Sequence, residues 1–131
     1  MTSWVNKTFF THNSYGSPNG CIIRVWEEDI ELQDYRPKHV YVTTVLPGSR
    51  KGPHMHMKRD SLFCCIHGQI LILIDGKPIL SSGREPVAVH VPAGTACGLQ
   101  NTGSVSALVL NLSSGHYDPT DELEVKDFQW A

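Results

Sequence analysis

The sequence predicts an all-β fold, a single domain of antiparallel strands arranged as a sandwich or barrel. Three observations carry this. Short runs rich in β-branched and aromatic residues recur along the chain, turn-forming residues punctuate them at short intervals, and no stretch sustains a helical period. The 131 residues match the size of one domain and suffice to bury a core without disulfides or a structural metal.

In chain order, residues 1–12 carry Trp4, Phe9 and Phe10 and read as an N-terminal arm. Left bare it would be an apolar patch, so it is expected to pack on the sheet or on a second subunit. Strand-like runs follow at 21–27, 39–46, 54–57, 61–66, 69–74, 79–82, 87–91 and 105–112. Between them lie "YGSPNG", "PGSRKGP", "HG", "DGKP", "SGREP", "PAG", "NTG" and "SSGHYDP", all rich in residues that favour turns. Asn101 is expected to hold the "NTG" hairpin. The closing "LEVKDFQWA" is expected to find cover as the arm does.

Composition narrows the function. Eleven Lys and Arg against 13 Asp and Glu give a net charge of −2, which offers no electrostatic reason for a nucleic-acid or anionic-membrane partner. A small molecule or a protein is the expected partner. The four cysteines have no CxxC spacing, and Cys64 and Cys65 would face opposite ways in a strand, which suits a reducing cytoplasm. The opening "MTSWVNKTFF" lacks the pattern of a signal peptide, and no apolar run approaches the roughly 18 residues of a membrane span.

Chemistry concentrates in "RKGPHMHMKRDSLFCCIHG", where His54 and His56 stand one residue apart ahead of a strand. Residues at i and i+2 of a strand share a face, so the two imidazoles point the same way. The spacing Gly48, His54, His56, Ser61, Gly68 resembles the first signature of the cupin superfamily, and Pro92, Gly94, Cys97, Asn101 resembles the second. That resemblance implies a cupin jelly-roll antiparallel β-barrel with the inward side chains of both halves converging at its mouth. Metal-binding cupins place a glutamate and a third histidine where Ser61 and Cys97 stand here. No metal is therefore expected; an ion held by His54, His56 and Cys97, as in a metal-dependent oxygenase or isomerase, is a minority alternative. Asp60 would need a bulge to replace the carboxylate.

Three segments narrow the kinship: "YVTTVLPGSRKGPHMH", "VPAGTACGLQ" and "LNLSSGHYDPTDE" resemble stretches of the dTDP-4-dehydrorhamnose 3,5-epimerases. The His-x-His with Lys51 and Gly52 before it resembles the Arg-Gly-Gly-His-Ala-His of the dTDP-sugar 3,4-ketoisomerases. The resemblance implies an RmlC-like enzyme without a cofactor that moves protons beside the ketone of a nucleotide-linked sugar. It also implies a homodimer, since the epimerases pair through their sheets. His54 falls at the base position, and an imidazole, with a pKa ordinarily near 6.5, can take a proton at neutral pH. His56 would return a proton or hydrogen-bond the enolate oxygen. Lys51, Arg59 and Arg24 are candidate cations for the enolate or a diphosphate, and Tyr117 is a candidate substrate contact. Tyr41 and Gln100 are pocket candidates by strand alternation. Asn111 falls where the epimerases carry their acid tyrosine, and Asn19 falls where they carry an arginine. The aspartate that orients their histidine has no counterpart identified by the resemblance. A strict 3,5-epimerase is therefore not expected, and a cupin that binds a sugar without turning it over is the alternative. His67, His90, Asp121 and Glu122 are expected to be solvated.

Overall fold

The computed structural model describes residues 2–28, 32 and 34–130. Their strands, in chain order, are β1 (Thr2–Val5), β2 (Thr8–His12), β3 (Pro18–Ile23), β4 (His39–Val45), β5 (Arg50–His54), β6 (Ser61–His67), β7 (Gln69–Ile74), β8 (Lys77–Ser82), β9 (Val87–Val91), β10 (Cys97–Gln100) and β11 (Ala107–Ser113). All named pairings are antiparallel. One sheet runs β1-β9-β6-β11-β4, a second runs β5-β10-β7-β8, and β2 pairs with β3 alone. Among the described residues the only helical element is one 3₁₀ turn, Pro119–Asp121, whose start is capped by the Asp118 carboxylate accepting from Thr120 N–H at 2.9 Å. No helix there is long and apolar enough to cross a membrane.

Period-two alternation builds the core. On β4, Val45 is buried while Val40 and Val42 are exposed, and on β9 it is Val87, Val89 and Val91 that turn inward. They meet Ile70, Ile72, Cys97 and Leu99 of the second sheet in one cluster. The expected antiparallel all-β fold is thus seen as two ladders facing each other across a shared core. Asn101 is buried at the mouth of its hairpin, where its amide nitrogen donates to the Val45 and Val105 carbonyls at 2.9 and 2.8 Å and its oxygen accepts from Gly103 N–H at 2.8 Å.

Residues 1–12 do not form one arm. β1 adds an edge strand beside β9, with Thr2 opposite His90 and Val5 opposite Val87, and Trp4 packs on the cluster of Tyr35, Leu62, Ala88 and Leu112. β2 instead zips to β3, leaving Phe9 and Phe10 51% and 78% exposed. The strand-like run at 21–27 is displaced: its ladder begins at Pro18 and ends at Ile23, beyond which Arg24 N–H donates to the Lys7 carbonyl. The closing segment lies over β10. Phe128 and Trp130 fit there because Gly98 has no side chain; a Cβ would stand 2.7 Å from Trp130. The Arg50 guanidinium caps the Trp130 ring at 4.8 Å.

Candidate active site

A cavity of about 380 Å³ opens between the sheets, lined by Tyr41, Lys51, His54, His56, Arg59, Ser61, Cys97, Asn111, Tyr117 and Glu122, among others. Two chain segments far apart in sequence build its rim. His54 ends β5, and the chain after it is gripped by the segment that follows the 3₁₀ turn. Leu123 N–H donates to the Met55 carbonyl at 2.8 Å, and Met57 N–H donates to the Asp121 carbonyl at 3.0 Å. The Asp121 carboxylate is buried beneath, accepting from Met57 and Lys58 N–H at 3.1 and 2.7 Å. Asp121 is therefore not the solvated residue that its sequence context suggests; it replaces water for two backbone donors that pair with no strand.

This grip delivers Glu122 to His54, and the Glu122 carboxylate is in contact with Nδ1 of the ring. The hydrogen bond from His54 is the main cause holding the Glu122 carboxyl below its usual range, so it is ionised at neutral pH. An ionised carboxylate can only accept, so His54 donates through Nδ1, and Nε2 is the ring nitrogen that Glu122 does not engage. Glu122 was expected to be solvated, and its side chain is indeed 46% exposed, yet its carboxylate is engaged by His54.

His56, two residues past the end of β5, lies beside His54, with rings nearly parallel at 17° and centroids 6.5 Å apart. Burial first, and then the Arg59 guanidinium, lower its pKa from the ordinary value, which keeps the ring neutral at pH 7. Arg59 donates to Nε2 at 3.2 Å, so Nδ1 carries the hydrogen; that atom is buried and has no partner. Across the cavity Tyr41 and Asn111 stand opposite each other in the β4–β11 ladder, and the Asn111 amide donates to the Tyr41 hydroxyl at 2.6 Å. Burial raises the Tyr41 pKa, so the phenol keeps its proton and is free to donate it to a ligand. Asn111 Oδ1 and Arg59 Nε are also buried without partners. Each of these three unpartnered atoms, on residues that line one cavity, costs on the order of 1–3 kcal/mol.

Two expected site residues lie elsewhere. Cys97 and Leu99 of β10 line the cavity, so alternation turns Gln100 to the opposite face. Arg24 lines a separate groove with Phe9 and Trp26, and its guanidinium is 3.6 Å from Glu27. Asn19 sits on the exposed β2–β3 hairpin, bonded to Thr11. His90 is not solvated: its side chain is 14% exposed and its Nε2 is 2.9 Å from the Asp60 carboxylate. Asp60 therefore points away from the cavity, and burial pushes the Cys97 thiol up to about 12, so it stays protonated. Among the described residues no three His, Cys, Asp or Glu groups cluster as metal ligands. The donor set does not fit the ion of a metal-dependent cupin.

Residues 6–129 match the family model described as FdtA: WxcM-like, C-terminal. The chain belongs to that family. Solved structures share its fold. NovW, a 4-keto-6-deoxy sugar epimerase from the novobiocin cluster of Streptomyces spheroides, superposes with a TM-score of 0.80 at 15% identity, over 95% of this chain and 68% of that one. ChmJ, a 3'-monoepimerase from Streptomyces bikiniensis solved with dTDP-quinovose, gives 0.80 at 16% identity, over 95% and 69%. The capsular polysaccharide assembling protein CapF of Staphylococcus aureus gives 0.62 at 23% identity over 68% of this chain, which spans only 28% of CapF. No curated protein sequence matches the chain.

Proposed function

We propose that this FdtA-family protein is an isomerase of a nucleotide-linked keto sugar, working by proton transfer at the carbon beside the ketone without a metal. The observation that carries the reading is the pairing of His54 with Glu122 in the cavity that also holds the Tyr41–Asn111 pair. Nε2 of His54 takes the proton, and Glu122 stabilises the imidazolium that forms. The electron pair moves to the ketone oxygen, where the Tyr41 hydroxyl and the cationic Arg59 meet the developing charge. Returning a proton to the other face of that carbon gives an epimer; returning it to the former carbonyl carbon, while the hydroxyl proton of the neighbouring carbon passes to the former ketone oxygen, moves the ketone. The second outcome fits the likeness of the Lys51–His56 stretch to the ketoisomerases.

Lys51 and Tyr117 suit the nucleotide diphosphate end, the first by charge and the second, with its 73% exposed ring, by stacking. The sugar nucleotide named for ChmJ supports the same class of ligand. Four free cysteines, three of them buried, suit work in a reducing cytoplasm. Incubation with dTDP-linked 4-keto-6-deoxyhexoses, followed by NMR, tests the reading: a new sugar isomer is expected. Tight binding without conversion would favour a binding cupin instead.

The jelly-roll domain is further proposed to work as a homodimer. The outward-facing Val40 and Val42 of edge strand β4, with Phe9, Phe10 and Ile22 of the hairpin, leave apolar surface that a second copy would cover. Light scattering at micromolar concentration is expected to give twice the chain mass; a monomer would count against the pairing.

A further inference from the structure

Asp60 immediately precedes β6 and turns its back on the cavity, yet it gathers three segments that frame it. Its Oδ1 accepts from Ala93 N–H at 2.8 Å and its Oδ2 is 2.9 Å from His90 Nε2. Its backbone N–H donates to Ser114 Oγ at 2.8 Å, while its carbonyl accepts from Ser114 N–H at 3.1 Å and from the Tyr35 hydroxyl at 3.3 Å. The Tyr35 ring packs edge-on against His90, centroids 5.8 Å apart.

The same segments touch His56 or Arg59. Gly94, next to Ala93, donates its N–H to the His56 carbonyl at 2.7 Å. Gly115, next to Ser114, lies so close to Arg59 that a Cβ would stand 2.9 Å from the Arg59 Cβ. Arg59, next to Asp60, reaches His56 Nε2 at 3.2 Å. Arginine loses much side-chain entropy when it is held in one geometry, so its hold on His56 depends on how firmly its own backbone and walls are placed.

We propose that Asp60, clamped by His90 and Tyr35, is a positioning residue that fixes Arg59 against His56. The inference deepens the reading of the site given above, but its readout needs no substrate, so it can fail while that reading stands. His56 is faced by Arg59, His54, Glu122 and Asp121, and after burial the Arg59 charge is the largest influence on its titration. If Arg59 loses its place, its downward push on the His56 pKa weakens and the titration midpoint rises.

The test follows the His56 ring by NMR titration in the full chain, without ligand, for the wild type, Asp60→Ala, His90→Ala and Ile70→Val. Ile70 is a fully buried core residue of β7 outside this network and serves as a control for lost stability. The His56 midpoint is expected to move upward in Asp60→Ala, to move less in the same direction in His90→Ala, and to stay in place in Ile70→Val. An unchanged midpoint in Asp60→Ala, or an equal shift in Ile70→Val, would overturn the proposal. Should Asp60→Ala fail to fold, His90→Ala decides alone, and an unchanged midpoint there overturns it.

Discussion

Replacing His54 with asparagine is expected to lower turnover by about 100- to 10,000-fold while leaving substrate affinity close to that of the wild type, the signature of a lost general base. His54 is the right residue to test because its two ring nitrogens have separable tasks. Nδ1 is engaged by Glu122, and the remaining nitrogen is on a ring that lines the cavity. Asparagine keeps a polar amide of smaller size at the end of β5 and removes only the titratable nitrogen. Steady-state kinetics with a converted keto sugar check this. A matching fall in affinity, or no fall in turnover, would move the base elsewhere, with His56 as the nearest candidate.

Glu122→Gln should cost about ten- to a thousand-fold in turnover, less than loss of the base itself. The amide can still accept from Nδ1, so the ring keeps its orientation. What disappears is the negative charge that stabilises the imidazolium formed when His54 takes the proton. The carboxyl is held below its usual range chiefly by the hydrogen bond from His54, so the charge is present throughout the neutral range and the effect should persist there. KM should change little, since the residue acts through His54. A glutamine variant with wild-type kcat would show that the contact is only structural.

How these features appear in the sequence follows from the physics of each. The paired imidazoles were legible because strand alternation is local: two residues apart means the same face, and the rings are nearly parallel. Glu122 was not legible, because its partner is 68 residues away and they meet only where the chain past Pro119 zips onto residues 55–58. The one available signal was Asp118 ahead of Pro119, a start for a helical turn that brings the acidic pair round. Gln100 shows alternation misapplied, since placing Cys97 in the cavity already commits Gln100 to the other face. For His90 the parity was right and the inference from it wrong. β9 turns Val89 and Val91 inward and His90 outward, but Tyr35 and Asp60 cover that outer face. β10 is not legible because four residues, one of them glycine, carry almost no strand signal of their own; their partners on β5 and β7 hold them. β1 and β2 read as one arm because aromatic content shows a need for cover and not which sheet supplies it.

The central claim is that His54 exchanges a proton with the carbon beside a sugar ketone, and isotope exchange reads that step whatever the product. The wild type would be incubated in heavy water with a dTDP-linked 4-keto-6-deoxyhexose, and the sugar examined by NMR and mass spectrometry. Deuterium should enter at a carbon beside the ketone in the wild type and enter far more slowly with His54→Asn. Saturating binding of the sugar nucleotide with no deuterium incorporated, or exchange at the wild-type rate in the variant, would contradict the account.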